Sequence, residues 1–268
     1  MTLLSTIPSY IYGIGHRKNN EDFIYPLPDT ATVASRLFIV CDGVGGHSEG
    51  EVASRIVCHS FAEYCEKNSK PDIDDSFWIA ALQYAESAMQ AYIEQHDQSR
   101  DMATTLVFLY LHTNSPHATV GHIGDSRLYH FRNNTIAWHT SDHSYVNALV
   151  EQGLLTEEQA LRHPQRNVIS RAIRGALFPA KLELNTLPIQ TSDSFLLCSD
   201  GFLEANKNDD LERIWQTAAS QQARKEAMEA ACLKNSKDNY SAYLVSLPHK
   251  KGILSAIRTS SLMGWLLS

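Results

Sequence analysis

The sequence predicts one largely antiparallel α+β domain in which sheets and helices pack in layers. Three observations support this prediction: strand-like runs are clustered, helix-like stretches come in pairs, and the two kinds of segment do not alternate one for one. Strict alternation would instead favour a doubly wound parallel sheet. The 268 residues, 43% of them hydrophobic, provide enough apolar material for such a core.

The predicted strands are short runs rich in β-branched and aromatic residues. They cover residues 9–14, 36–41, 104–112, 118–123, 126–131, 168–173, 181–187, 194–198 and 240–247. Apolar residues at helical spacing predict two amphipathic helices over 49–66 and 75–95. Shorter helices are predicted over 143–152, 156–162, 209–219 and 221–234.

Composition limits the partners of this domain. Thirty Asp and Glu residues against 23 Lys and Arg give a net charge of −7, which argues against nucleic acid as the main partner. The five cysteines form no CxxC pair, so we expect reduced cysteines that serve in packing. No charged N-terminal region precedes an apolar stretch, and no apolar window reaches the roughly 18 residues of a membrane span. These features predict a cytoplasmic protein.

Four aspartates stand at the ends of predicted strands. Asp42, Asp125 and Asp200 each follow an apolar run and adjoin a glycine, and Asp238 precedes the last run. In an antiparallel sheet the end of one strand and the start of its neighbour share an edge, so these carboxylates can converge. Such a cluster repels itself unless a cation is present. Oxygen-only ligands without HExxH or cysteine pairs favour Mg²⁺ or Mn²⁺ over zinc. The alternative is that each aspartate merely caps a turn.

The glycine-rich stretch 42–50 is not a phosphate-binding loop. Glu51 and Val52 stand where that loop needs Lys and then Ser or Thr, and an acid there would repel phosphate. We expect instead a tight turn that brings the carbonyl of Gly43 to a cation before the helix that begins near Glu49.

A series of short motifs runs through nearly the whole chain in a fixed order. They are Arg17 to Asp22 (RKNNED), Asp42 to His47 (DGVGGH), Thr104-Thr105, Gly124 to Arg127 (GDSR), Asp142-His143-Ser144, Ser199-Asp200-Gly201 and Asp238-Asn239. In these motifs the sequence resembles the metal-dependent serine/threonine protein phosphatases of type 2C, in particular their compact bacterial members.

The resemblance implies a four-layer α/β/β/α sandwich, with two antiparallel sheets flanked by helix pairs and a two-metal centre at one end. By position, Asp42 resembles the carboxylate that bridges both Mg²⁺ or Mn²⁺ ions, and Gly43 the carbonyl ligand. Asp200 and Asp238 resemble ligands of the other metal. Asp125 and Asp200 together resemble a third, weaker site.

The same resemblance assigns the residues around the metals. Arg17 resembles the clamp for the phosphate, and its planar fork suits a dianion. Glu21 and Asp22 resemble outer-sphere residues that reach water around the ions, with Asn239 beside them.

The polar stretch 144–175 resembles a flap beside the site, and we expect Arg162 and Arg166 there to influence which phosphopeptides bind.

Several positions depart from the family pattern without removing a ligand. Ala103, Ser192 and Ser241 replace two common glycines and a threonine. Val44 stands where eukaryotic members carry a histidine proposed as general acid, so another group must protonate the leaving oxygen. His47 and His143 are candidates, with a structural role as the alternative for each.

These observations predict a phosphatase that hydrolyses phosphoserine and phosphothreonine by metal-activated water. Its partners would be phosphoproteins made by a Ser/Thr kinase, and we expect a monomer. Two alternatives remain: a pseudophosphatase that only binds partners, and a hydrolase of small phosphate esters or nucleotides. The surviving aspartates and Arg17 argue against the first.

The domain is predicted to cover residues 1–248, followed by a short basic and apolar tail over 249–268. We expect this tail to dock on the domain's own surface, the alternatives being a partner protein or an acidic membrane surface.

Overall fold

The computed structural model describes residues 5–44, 49–68, 73–96, 99, 101–166 and 168–248. The strands are β1 (Ser9–Gly13), β2 (Asp22–Tyr25), β3 (Leu37–Val44), β4 (Ala103–Thr104), β5 (Leu106–Leu111), β6 (His117–Ile123), β7 (Arg127–Arg132), β8 (Thr135–His139), β9 (Glu183–Pro188), β10 (Ser194–Cys198) and β11 (Tyr240–Ser246). The helices are α1 (Glu49–Lys67), α2 (Asp75–Gln95), α3 (Tyr145–Glu151), α4 (Glu157–Leu161), α5 (Asp200–Ala205), α6 (Asn208–Thr217) and α7 (Gln221–Asn235).

The strands form two antiparallel sheets. One sheet has the order β1-β11-β10-β7-β8, and the other has the order β2-β3-β5-β6-β9, with β4 pairing on β3. Every named strand pair is antiparallel, as the clustering of short strands predicts.

Strand β3 shows how the layers are stacked, because both of its faces are buried. Leu37, Ile39 and Cys41 belong to the apolar cluster that the second sheet shares with α1 and α2. Phe38 and Val40 belong to a second cluster, which lies between the two sheets. A third cluster joins the first sheet to α5, α6 and α7. Three apolar interfaces separate four layers, which confirms the α/β/β/α sandwich.

The third interface is built around aromatic packing. Phe131 of β7 stacks on Trp215 of α6, with ring centroids 3.6 Å apart and an interplanar angle of 8°. The indole N–H of Trp215 donates to Ser194 Oγ of β10 at 2.8 Å, so the buried polar atom is satisfied. This stack fixes the helix layer on the first sheet, whose strand β10 leads to Asp200.

Some elements differ from the predictions. Strands β2 and β8 and helix α5 were not expected. Strand β8 forms a hairpin with β7 through Asn133 and Asn134, both at positive φ, as a two-residue hairpin turn requires. Residues 168–173 do not form the predicted strand: Ile169 pairs only with Ser144, and Ile173 only with Thr104, so no continuous ladder exists.

Other expectations concern single residues. All five cysteines are buried and free, which confirms their packing role. Ser192 adopts a φ of +75°, in the left-handed region that glycine enters most easily. This conformation accounts for the glycine that the family pattern commonly has at this position. In the part of the chain that the structure describes, no helix is long and apolar enough to cross a membrane. His47 and the tail over 249–268 lie outside the described residues.

Candidate active site

Five aspartates meet at one edge of the sandwich. Asp22 of β2 faces Asp42 of β3 in the strand register. Asp125 lies in the turn between β6 and β7, Asp200 begins α5 directly after β10, and Asp238 precedes β11. The carboxyl groups of Asp42 and Asp200 are close enough to shift each other's pKa, and Asp42 also interacts electrostatically with Asp22 and Asp125. The predicted convergence of Asp42, Asp125, Asp200 and Asp238 is therefore present, with Asp22 as a fifth member.

The protonation of this cluster reflects burial and mutual repulsion. Burial, with further repulsion from Asp200, raises the pKa of Asp22 and of Asp125 to about 7. Burial and the neighbouring carboxylates raise the pKa of Asp42 well above its ordinary value. Burial and Asp238 likewise raise the pKa of Asp200, whose side chain stays accessible from a cleft. The arrangement is unfavourable for ionised carboxylates in the absence of a cation.

One carboxylate oxygen shows that the cluster fits a cation. Asp125 Oδ1 is buried and has no hydrogen-bond partner. A buried acceptor without a partner is costly, roughly 1–3 kcal/mol, unless another ligand satisfies it. A set of carboxylate oxygens together with such an unpaired atom matches the donor preference of Mg²⁺ and Mn²⁺.

The backbone of Asp42 is held by the Thr104-Thr105 pair. Asp42 N–H donates to Thr105 Oγ1 at 2.9 Å, and the Asp42 carbonyl accepts from Thr104 Oγ1 at 2.9 Å and from Thr105 N–H at 2.8 Å. Thr105 Oγ1 also lies 2.8 Å from Ser126 Oγ, in the turn that carries Asp125. The threonine pair thus links the positions of Asp42 and Asp125.

Gly43 is required by the close approach of helix α1. A Cβ atom at this position would lie 2.0 Å from the carbonyl oxygen of Gly50, so no side chain fits. Gly43 N–H donates to the Glu21 carbonyl at 3.1 Å, and Ser54 Oγ of α1 donates to the same carbonyl at 2.6 Å. The start of α1, the end of β3 and the Glu21 backbone are therefore packed as one unit.

Arg17 and Glu21 lie on the loop that leads into β2. Arg17 Nη2 donates to Asp238 Oδ2 at 2.5 Å, while about half of the arginine side chain stays exposed. This hydrogen bond raises the pKa of Arg17, and burial raises the pKa of Glu21. A permanently charged, half-exposed guanidinium beside the carboxylate cluster can bind a phosphate dianion.

Asn239 fixes this loop against the cluster. Its side-chain oxygen accepts from Glu21 N–H at 2.9 Å, and its amide nitrogen donates to the carbonyls of Ile14 and Asn19, both at 2.9 Å. Asn239 N–H donates to Asp238 Oδ1 at 2.8 Å. Asn239 therefore positions Arg17's loop through its side-chain amide and Asp238 through its backbone N–H.

Asp22 is the most deeply buried of the aspartates. Its Oδ2 accepts from Ser199 Oγ at 2.8 Å, which connects β2 to the residue before Asp200. Ser199 Oγ in turn accepts from Ser241 N–H at 3.1 Å. Asp22 is thus linked to β10, which ends before Asp200, and to β11, which begins after Asp238.

A cleft of about 460 Å³ opens beside Asp125 and Asp200. Four basic residues, Arg127, Arg166, Lys207 and Lys237, line it. Arg162, which the sequence grouped with Arg166, is not among the lining residues, and its guanidinium pairs with Glu158 at 3.1 Å. Of the two predicted flap arginines, only Arg166 reaches the cleft.

The cleft also contains a partly buried ion pair. Arg127 Nε and Nη2 donate to the two carboxylate oxygens of Asp142 at 2.6 and 2.7 Å. Burial alone would lower the pKa of Arg127, but this bidentate pair raises it above the ordinary value. Arg127 is therefore committed to Asp142, which begins the stretch that leads to α3.

His143 is placed in a structural role. Its Nδ1 accepts from Gly124 N–H at 3.1 Å, and its Nε2 lies 3.0 Å from Glu183 Oε2. Both ring nitrogens are occupied and the ring is buried, so His143 is not available as a general acid. Val44 is half-exposed and has no proton to give.

Sequence analysis missed several residues that position the site. Ser54, Ser199 and the threonine pair belong to the motifs of the family pattern, but the sequence assigned none of them a role. Each acts through a hydrogen bond to a residue distant in sequence, so only their adjacency to predicted site residues could have suggested them. Glu183, on the neighbouring strand β9, carried no signal in the sequence.

The chain is similar to known proteins over most of its length. The family model described as Protein phosphatase 2C matches residues 15–234. Serine/threonine protein phosphatase PstP of Mycobacterium tuberculosis is 35% identical over 185 residues, which cover 69% of this chain and 34% of PstP. A putative protein phosphatase 2C-type of Streptococcus pyogenes is 31% identical over 231 residues, which cover 85% of this chain and 92% of that protein.

Solved structures share the fold. The crystal structure of the M. tuberculosis serine/threonine phosphatase PstP/Ppp superposes with a TM-score of 0.79 at 29% identity, covering 92% of this chain and 100% of that chain. The PstP catalytic domain in complex with 2 manganese ions superposes with a TM-score of 0.73 at 27% identity, covering 91% and 99%.

The sandwich is thus the fold of bacterial serine/threonine phosphatases. The chain belongs to the protein phosphatase 2C family. It spans about a third of the length of the PstP sequence it matches.

Proposed function

We propose that this chain hydrolyses phosphoserine and phosphothreonine in proteins at a centre of divalent cations. The observation that carries the proposal is the meeting of Asp42, Asp125, Asp200 and Asp238 beside Arg17, with Asp125 Oδ1 buried and unpaired. The manganese ions of the PstP catalytic domain support it.

Each cation site is assigned to specific oxygens. Asp42 would bridge two cations, with the Gly43 carbonyl on one, and Asp200 and Asp238 on the other. Asp125 and Asp200 would hold a third, weaker cation. When bound, Mg²⁺ or Mn²⁺ would ionise a water molecule and neutralise phosphoryl oxygens.

The other residues bind and orient. Arg17 would bind two oxygens of the phosphate dianion, which is present in both substrate and transition state. Glu21 and Asp22 would accept hydrogen bonds from water in the site, and Asn239 holds their loop through the Glu21 amide. No nucleophilic side chain is needed for this chemistry.

The cleft would receive the peptide that carries the phosphoresidue. Four carboxylates also line the cleft: Asp142 is paired with Arg127, and Asp125 and Asp200 are assigned to cations, which leaves Glu204. Arg166, Lys207 and Lys237 outnumber it, which favours substrates with acidic residues next to the phosphorylated position. We therefore assign substrate selection to Arg166 rather than to Arg162. The phosphoproteins would be products of a Ser/Thr kinase.

A substrate panel tests the proposal against its alternatives. Purified protein with Mn²⁺ is offered a phosphothreonine peptide, an aryl phosphate and a nucleoside triphosphate, and released phosphate is measured. We expect hydrolysis of the first two and none of the third. Peptide binding without any phosphate release would indicate a pseudophosphatase, and preference for the nucleotide would indicate a small-ester hydrolase.

A further inference from the structure

Both backbone polar groups of Gly124 are hydrogen-bonded to His143. Gly124 N–H donates to His143 Nδ1 at 3.1 Å, and the Gly124 carbonyl accepts from His143 N–H at 2.9 Å. Gly124 has a φ of +105°, and a Cβ atom there would lie 2.6 Å from Thr105 Cγ2. The backbone at this turn is therefore tightly constrained, and the next residue is Asp125.

The contacts with Gly124 and Glu183 select one tautomer of the His143 imidazole. Since Nδ1 accepts a hydrogen bond, the ring proton of the neutral form lies on Nε2, where Glu183 Oε2 accepts it at 3.0 Å. Burial lowers the pKa of His143, which favours this neutral form. The ring also stacks on buried His122, with centroids 4.4 Å apart and an interplanar angle of 12°.

We propose that His143 is a positioning residue, which sets the carboxylate of Asp125 for cation binding through the backbone of Gly124. Glu183 supports it by holding the imidazole in the required tautomer. This inference rests on the proposed function, because it takes Asp125 as a cation ligand. The arrangement resembles the hydrogen-bonded residues behind metal ligands, whose loss typically weakens metal binding tenfold or more.

The same residues do not form a good metal site of their own. One donor atom each from His122, His143 and Glu183 lies within 4.8 Å of the others, and His122 Nδ1 is buried without a partner. An ion must lie near the plane of each ring that binds it, and two rings stacked at 12° cannot both satisfy this for one ion. The Arg171 guanidinium, 3.2 Å from His143 Nε2, also opposes a cation.

Three variants of His143 separate hydrogen bonding from packing. The amide oxygen of His143→Asn can occupy the position of Nδ1. In His143→Gln the amide oxygen lies further along the side chain, and His143→Ala has no side-chain amide at all. Mn²⁺ binding to metal-free protein is measured by calorimetry, together with the Mn²⁺ dependence of aryl phosphate hydrolysis. We expect the weakest Mn²⁺ site to weaken about tenfold or more in the Gln and Ala variants, and about threefold or less in the Asn variant.

The tighter Mn²⁺ sites should be unchanged in all three variants. A packing role predicts the opposite order, with Gln closer to wild type than Asn, and that order would overturn the proposal. Unchanged Mn²⁺ binding in His143→Ala would overturn it too. Folding of each variant is checked by thermal unfolding.

A double-mutant cycle tests whether His143 acts through Asp125. In an Asp125→Ala background, His143→Ala should cause no further loss of Mn²⁺ binding, and a further loss would contradict the proposal. His130→Ala is the matched control, since His130 is also buried and lies 3.0 Å from a carboxylate, Asp193. It should leave Mn²⁺ binding unchanged.

A variant of the stacked ring tests the competing site. His122→Ala should retain every Mn²⁺ site, and loss of one would place an ion at the histidines instead. Failure of the proposed function would look different, because wild-type protein would then bind no Mn²⁺ or release no phosphate.

Discussion

Arg17 Nη2 lies 2.5 Å from Asp238 Oδ2, which joins the loop before β2 to the residue before β11. The two residues are far apart in sequence, and the loop is held in place by Asn239, the neighbour of Asp238. A cation bound by Asp238 and a phosphate bound by Arg17 would therefore be adjacent. In the proposed function, substrate binding and catalysis would then share one edge of the sandwich.

The first prediction concerns Arg17. Arg17→Ala removes donors to a dianion that is present in substrate and transition state alike, so we expect KM to rise about tenfold with little change in kcat. Arg17→Lys keeps the charge without the planar fork, so its KM should lie between those of wild type and Arg17→Ala. Steady-state kinetics on a phosphothreonine peptide measures this. The control is Lys18→Ala, because Lys18 is the next residue and is an exposed cation. An equal rise in KM for Lys18→Ala would contradict phosphate binding by Arg17 in particular.

The second prediction concerns Asp42. Asp42→Asn keeps the shape of the side chain but removes the charge that two cations would share, so kcat should fall at least about a hundredfold, roughly 3 kcal/mol in barrier. Exposed Asp101→Asn is the control and should match wild type. More than a tenth of wild-type activity with normal Mn²⁺ content would mean that Asp42 does not bridge the cations.

The third prediction concerns pH and stability without metal. The pKa values of Asp22 and Asp125 are raised to about 7 in the folded protein, above the value near 4 of an unfolded chain. The folded state then binds more protons than the unfolded state between these values, so these groups lower stability as pH rises from about 4 to 7.

Thermal unfolding of metal-free protein at pH 5 and pH 7.5 measures this contribution. Asp22→Asn and Asp125→Asn should each raise the unfolding temperature at pH 7.5 more than at pH 5. Mn²⁺ should stabilise wild type most at the higher pH, because it binds the ionised carboxylates. If the variants showed the same pH dependence as wild type, the burial and mutual repulsion of these carboxylates would not be its cause.

The fourth prediction separates the two flap arginines. Arg166 lines the cleft, whereas Arg162 lies on the surface and pairs with Glu158. Arg166→Ala should lower kcat/KM about tenfold or more for phosphopeptides with acidic flanking residues, with little effect on an aryl phosphate. Arg162→Ala should affect neither. Equal losses on peptide and aryl phosphate would show that Arg166 acts on the chemistry instead.

The sequence predicted the aspartate cluster better than it predicted the residues that hold the cluster in place. Asp42, Asp125 and Asp200 follow apolar runs next to glycines, and Asp238 precedes such a run. In an antiparallel sheet the end of one strand and the start of its neighbour share an edge, so this local pattern was enough to predict that the carboxylates can converge. The hydrogen bonds from Thr105, Ser54 and Ser199 depend on contacts between distant segments, which no local pattern records.

The errors in secondary structure have similar causes. Residues 168–173 are rich in β-branched side chains, but their backbone meets Ser144 at one end and Thr104 at the other, so no strand forms. Strand β8 alternates exposed and half-buried residues at a sheet edge, which weakens its apolar signal. In both segments, contacts with distant parts of the chain determine the secondary structure.

Metal dependence of phosphopeptide hydrolysis tests the central claim most directly. Purified wild-type protein is stripped of metal and dialysed, and phosphate release from a phosphothreonine peptide is followed as Mn²⁺ or Mg²⁺ is added back. We expect no release without divalent cation, activity that saturates with added cation, and complete loss on adding EDTA. Full activity of the stripped protein in chelator would contradict the cation centre at Asp42, Asp200 and Asp238.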